Sequence, residues 1–245
     1  MGDLVYEPIA EALNGQLPAL LAASAAIAFG ALVQGAVGFG MALVPAPQLV
    51  PGPLLVSGLA LTLLVARRER ESIDLLGVKW GLVGRVPGVA IGALVLALIP
   101  EASMSLCVGI LSLTGVALGG SRLRITPSPR VLLAAGFVSG IFGTIASIGG
   151  PPLALLYQHE TGPRLRGTLA GYFIFGAVMS LAMLIAVGRY GRSELLWTLG
   201  LLPATLLGFL GSSRLTAWVD AGRTRRAVLG ITVASGVAAV LRSLA

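Results

Sequence analysis

Apolar residues along this chain fall into eight long blocks punctuated by Arg, Pro and Gly: about 17–44, 49–66, 78–99, 102–120, 131–157, 167–187, 194–215 and 224–242. Between Ala12 and Ala66 there is no Asp, Glu, Lys or Arg. At roughly 20 residues per membrane crossing, that stretch holds two spans, with Pro45, Pro47, Pro51 and Pro53 marking the turn between them. Open strands cannot satisfy their backbone in lipid, so each block predicts a helix. The expected fold is an all-α polytopic membrane protein of about eight transmembrane helices, with no room for a soluble domain.

The pattern repeats. "LVQGAVGFGMALVPAP" (Leu32 to Pro47) aligns with "FVSGIFGTIASIGGPP" (Phe137 to Pro152) at a shift of 105, matching Gly35 with Gly140, Gly38 with Gly143 and Pro47 with Pro152. "LVGRVPGVAIG" from Leu82 matches "TLGLLPATLLG" from Thr198, and "GILSLTGVA" from Gly109 matches "GITVASGVA" from Gly230. The organisation predicted is an N-terminal segment (1–16), a first four-helix repeat (17–120), a basic connecting loop (121–130) and a second four-helix repeat (131–245). Counting each block as a full span makes the repeats parallel; a re-entrant segment among them would change that.

Composition sharpens the class. Hydrophobic residues make up 56% and charged residues 11%, against about a quarter charged in soluble domains, and the mean hydropathy is +0.93. The opening MGDLVYEPIAEALNG has no Lys or Arg, unlike a cleavable signal peptide, so the first span is expected to be retained. Cys107 is the only cysteine, which excludes an internal disulfide or thiolate cluster. The net charge of +7 is spread over short loops, which fits the positive-inside rule better than nucleic-acid binding. On an eight-span count, Arg67, Arg68, Arg70, Lys79, Arg122, Arg124, Arg130, Arg189, Arg192 and Arg242 fall on one face. Arg164, Arg166, Arg214, Arg223, Arg225 and Arg226 then fall on the other, and both termini are expected to be cytoplasmic.

Gly- and Pro-interrupted segments at matching places in two halves point to a transporter's binding site, because broken helices expose N–H groups and positive dipole ends that attract anions. The substrate-binding candidates are Gln34, Gly35, Gly38 and Gly40 in the first half and Ser139, Gly140, Gly143, Thr144, Ser147, Gly149 and Gly150 in the second. Pro45, Pro47, Pro151 and Pro152 are the helix-break residues. Gln34 and Ser139 are expected to meet the anion directly, so that replacing both removes binding and spares the fold. Small residues at a spacing of four also serve plain helix packing.

Arg85 is the one charge well inside a span, and its planar fork suits an oxyanion; snorkelling toward the interface is the competing reading. Tyr157, Gln158 and Tyr172 could add donors, although Tyr also belongs to interfacial belts. His159, titrating near neutrality, is weighed as a proton-coupling group against an exposed loop histidine. No HExxH, GxSxG or Walker sequence is present, and neither a cofactor nor an enzyme activity is expected.

The segments "FGALVQGAVGFGMALVPAPQLV" and "GFVSGIFGTIASIGGPPLALLY", each opening a repeat, resemble the sulfite exporter TauE/SafE (TSUP) family over nearly the whole chain. The most specific parts are the glycines at 35, 38 and 40 and the "SIGGPP" motif from Ser147 to Pro152. The resemblance implies a bacterial inner-membrane secondary transporter, often an exporter, of small sulfur-containing or organic anions such as sulfite, thiosulfate, sulfoacetate or other sulfonates. It implies that Gln34, Gly35, Gly38, Gly140, Gly143, Ser147, Gly149 and Gly150 lie at or near the central site, with alternating access between the halves. The partners are then an anionic substrate and the lipid bilayer, with a coupled proton or sodium ion and a homodimer left open. A gated anion channel and a non-transporting scaffold or enzyme subunit are the alternatives.

Overall fold

The computed structural model describes residues 3–41, 52–98, 125–146, 149–186 and 191–223, with six further positions between 226 and 234. Among these residues are seven α-helices, one 3-10 turn at Arg70–Ser72 and no strand. The helices are α1 (Asp3–Val37), α2 (Gly52–Arg68), α3 (Leu75–Leu98), α4 (Pro129–Ala146), α5 (Pro151–Tyr157), α6 (Gly162–Ala186) and α7 (Arg192–Asp220). The block expected at 102–120, and most of that at 224–242, lie outside the described residues.

Local chemistry sets the helix ends. Pro129 opens α4 and the Pro151–Pro152 pair opens α5, at positions where a missing N–H costs nothing. Asp74 caps α3, its carboxylate accepting from Gly77 N–H at 2.9 Å. Arg67 and Arg68 occupy the last turn of α2, where cations complement the helix dipole.

Leu20–Val37, Leu75–Val95 and Leu195–Asp220 are long and apolar enough to cross a membrane. The surface of these helices is greasy: Phe29, Val86, Leu94, Leu199, Leu207 and Leu210 are all more than half exposed. Conversely, Ser57, Thr62, Ser139, Thr168, Thr205 and Ser212 are buried. Large side chains outside and small polar ones inside is the arrangement of helices packed in lipid, where backbones approach through small residues.

Successive contacts fix the helix directions. Gly81, Gly84, Gly88 and Gly92 of α3 meet, in turn, Gly136, Leu133 with Phe137, Phe137 and Ile141 with Thr144 of α4, so α3 and α4 run the same way. Gly167, Gly171 and Gly176 of α6 meet Glu69 with Ile73, Val78 and Arg85, which makes α6 parallel to α3. Gly200, Gly208 and Gly211 of α7 meet Leu20, Ala28 with Ala31, and Leu32, so α7 and α1 are parallel. At one end, Asp220 of α7 pairs with Arg166 of α6, placing α7 antiparallel to α6. The sequence-matched helices, α1 with α4 and α3 with α7, therefore run in opposite directions.

Of the two orientations the sequence leaves open this is the inverted one, and the cause is the block at 131–157. It is two helices: α4 descends from one face and α5 returns to that same face, where the Tyr157 hydroxyl reaches Asp74 at 2.9 Å. A hairpin counted as a span reverses the side of every later loop. The division of the arginines between two faces falls with it. Arg68 and Arg166 share Glu69, each at 3.0 Å, so the loops assigned to opposite faces lie together. Arg67, Arg68, Arg70, Lys79, Arg130, Arg164, Arg166, Arg214, Arg223 and Arg226 all belong to this basic end, and Arg192 opens α7 at the other.

Candidate functional site

Three helices that start at the basic end each contribute a residue ten positions in: Arg85 from α3, Ser139 from α4 and Tyr172 from α6. At 1.5 Å per residue they sit about 15 Å from the helix starts, a distance equal to half a hydrocarbon core of about 30 Å. The guanidinium carbon of Arg85 lies 4.9 Å from the centre of the Tyr172 ring. The Tyr172 hydroxyl donates to Ser139 Oγ at 2.9 Å, and Ser139 donates in turn to the Gly149 carbonyl at the helix break. Arg85 thus points across to α6 and α4 at mid-depth, which is not the geometry of a snorkelling side chain.

Space for the guanidinium comes from two glycines. A Cβ on Gly176 would lie 2.8 Å from both Cζ and Nη2 of Arg85; one on Gly143 would stand 3.6 Å from Nη2 and against Gly149. Arg85 Nη1 is buried and has no hydrogen-bond partner. A buried donor left unmatched in this way is costly, and an oxyanion is the ligand whose geometry a guanidinium fork fits.

The first break is built differently. At the end of α1, Gly38 (φ 100°) and Gly40 (φ 135°) adopt left-handed backbone that other residues avoid. Gln34 holds the turn: its side-chain oxygen accepts from Met41 N–H at 3.0 Å and its main-chain carbonyl from Gly38 N–H at 2.7 Å. Phe39 then lies against Gly150 of the second break, so the two interruptions touch, while Pro151 and Pro152 are buried at the start of α5.

The sequence-selected residues separate accordingly. Arg85, Ser139, Gly143 and Gly149 come together in one place. Gln34 and Ser139, expected as direct ligands, each brace a break, so removing both would loosen the fold. Gly35 is given to packing: it sits against Ser212, and its carbonyl accepts from Arg68. Gly140 abuts the α3 backbone at Arg85 and Val89, and the Thr144 hydroxyl turns back on the Gly140 carbonyl at 2.8 Å. Ser147, Pro45 and Pro47 lie outside the described residues. His159 is exposed at the basic end, away from Arg85. Gly176 went unselected, since a lone glycine in "FIFGAVM" carries no motif, and Tyr172 was marked only as a donor.

A second polar assembly closes the basic end. Arg166, 1% exposed, forks onto Asp220 at 2.7 and 3.0 Å, reaches Glu69 at 3.0 Å and the Ala36 carbonyl at 3.3 Å. Arg68 bonds Glu69, Ser212 at 3.1 Å and the Gly35 carbonyl. The last carbonyls of α1 are thereby satisfied by cations from α2 and α6, as helix C-termini require. Beside it, burial pushes the Asp74 carboxyl up, but bonds from Gly77 N–H, the Tyr157 hydroxyl and Arg164 outweigh this and hold it below the usual carboxylate range. Among the described residues no group of His, Cys, Asp and Glu could hold a metal ion.

Searches of curated proteins and of solved structures find no match. The family model described as sulfite exporter TauE/SafE matches residues 22–239 of the 245. The chain therefore belongs to the sulfite exporter TauE/SafE family, a family of membrane transporters and not of enzymes.

Proposed function

We propose that this protein is a secondary transporter that exports small sulfur-containing or organic anions, such as sulfite, thiosulfate, sulfoacetate or other sulfonates, through a midplane site at Arg85. The observation that carries the reading is the unpartnered Arg85 Nη1 at mid-depth, beside the break at Gly149. Tyr172 holds the guanidinium plane, Ser139 fixes the break, and Gly143 and Gly176 keep room for the guanidinium. Alternating access fits two inverted halves whose breaks touch, the architecture in which one half rocks against the other.

The basic end faces the cytoplasm of the inner membrane by the positive-inside rule. Its Arg166–Asp220–Glu69 cluster is then the inner closure, and α1 begins on the outer side, the reverse of the expectation drawn from an eight-span count. The cluster favours a carrier over an open pore, because charge pairs that tie four helices at one end block a continuous path.

The test is thermal stability of detergent-purified protein against sulfite, thiosulfate, sulfoacetate, acetate and chloride at matched ionic strength. A ligand at about 100 times its Kd stabilises by about 2.7 kcal/mol. A selective shift for a sulfur anion that disappears in Arg85→Gln supports the site, whereas an equal shift in that variant removes it.

A further inference from the structure

We propose that the transported anion is the sole counter-ion Arg85 receives, and that the carrier therefore exchanges one monoanion for another instead of returning empty. This rests on the anion-carrier reading above. The ten acids of the sequence are Asp3, Glu7, Glu11, Glu69, Glu71, Asp74, Glu101, Glu160, Glu194 and Asp220. Not one falls inside α2 to α6; those of α1 lie in its first three turns, at the end away from Arg166, and those of α7 in its end turns. No carboxylate thus stands at the depth of Arg85 on any described helix.

Among the described residues, neither hydroxyl beside Arg85 accepts from its Nη1. The Tyr172 hydroxyl donates to Ser139, and Ser139 donates to Gly149. The Tyr172 ring offers its face to the cation but no lone pair. Nη1 stays unmatched.

Any alternating-access cycle passes through a state closed on both sides. With a monoanion aboard, that state holds a neutral pair. Empty, it holds a lone guanidinium out of water, which is strongly disfavoured. Arginine has no escape by deprotonation, unlike lysine. The empty carrier consequently waits in an open, hydrated state until another anion enters, and a dianion, leaving one negative charge uncompensated, crosses poorly, which within the proposed class favours hydrogensulfite and simple sulfonates over thiosulfate and sulfoacetate.

The experiment uses purified protein in liposomes with the membrane potential clamped. Uptake of labelled sulfite, in mildly acid buffer where hydrogensulfite predominates, is followed into vesicles holding buffer alone, unlabelled sulfite, methanesulfonate (permanently monovalent) or sulfate (permanently divalent). Vesicles loaded with sulfite or methanesulfonate should fill about tenfold faster or more than vesicles without them, and sulfate should not stimulate. Equal rates in loaded and empty vesicles overturn exchange, and stimulation by sulfate matching methanesulfonate overturns the monovalent requirement.

Arg85→Lys gives a second reading, because a buried lysine can shed its proton. The ratio of exchange to net uptake should fall toward one as pH rises in that variant and stay constant in the native protein; an unchanged ratio overturns the role given to Arg85. Absence of both sulfite binding and flux would sink the carrier reading along with the inference. Flux without stimulation from inside would sink the exchange alone.

Discussion

Replacing Arg166 with glutamine tests whether the ion-pair cluster at the basic end holds the helices together. Arg166 is 1% exposed, Glu69 9% and Asp220 31% by side chain. Stripping one partner from a fully buried pair costs about 3–5 kcal/mol. Two features place Arg166→Gln at the lower bound, about 3 kcal/mol: Asp220 is a third exposed and can rehydrate, and Glu69 keeps Arg68 at 3.0 Å. For a chain of this length about 2–4 °C accompanies each kcal/mol, so the unfolding midpoint should drop by about 6–12 °C. Tryptophan fluorescence of detergent-purified protein reads this directly. Arg166→Lys should lose about half as much, since an ammonium cannot fork onto both Asp220 oxygens. Adding Asp220→Asn to Arg166→Gln should recover part of the loss, because it removes the orphaned carboxylate, and the double-mutant cycle isolates that coupling. A drop below about 2 °C in Arg166→Gln, or purely additive effects in the double variant, would refute the reasoning.

Gly176→Ala puts a Cβ 2.8 Å from the guanidinium, which swings aside as the end of a flexible chain; sulfite affinity should fall about tenfold or more while the unfolding midpoint stays within about 3 °C. Gln34→Leu leaves the buried Met41 N–H without its acceptor and should cost about 1–3 kcal/mol, measurable by thermal unfolding, with Gln34→Glu retaining the acceptor and most of the stability. Asp74 has a depressed carboxyl pKa, so its contribution is complete above the unfolded value of about 3.8 and is lost as pH falls through the lower folded value. Asp74→Asn should flatten the acid limb of stability below about pH 4, and a limb unchanged by that substitution would show that other carboxylates govern it.

Much of this was legible because hydropathy in a membrane is a strong constraint. The glycine and proline clusters at residues 35–40 and 149–152 do mark helix breaks, and Arg85 was visible as the one charge well inside an apolar block. What the one-dimensional pattern could not supply was the reversal after Ala146. "SIGGPP" interrupts a block long enough to cross the bilayer once, and nothing in its composition separates a kinked span from a hairpin. The Ser139–Gly149 and Tyr157–Asp74 contacts, which decide it, join residues 10 and 83 positions apart. The same limit hid the roles of Gln34 and Ser139. A polar side chain before a break can face a ligand or tie the break shut, and only the partner atom distinguishes the two.

The two halves share a skeleton but not a charge. Gln34 and Ser139 match in the repeat, and each ties its helix to the unwound backbone that follows. Pro87 and Pro203 match as well, each inside its helix. Arg85, however, corresponds to Leu201, which is fully buried in an apolar cluster with Ile27, Leu61 and Val65. Had both repeats kept arginine, two guanidinium groups would have shared the interior of one small bundle, and like charges there repel in a low dielectric. One arginine and one leucine leave a single guanidinium fork, offset toward α3, α4 and α6, while α1, α2 and α7 pack around apolar contacts. The matched segments carry the breaks, and the arginine on which the proposed site rests comes from a departure between them.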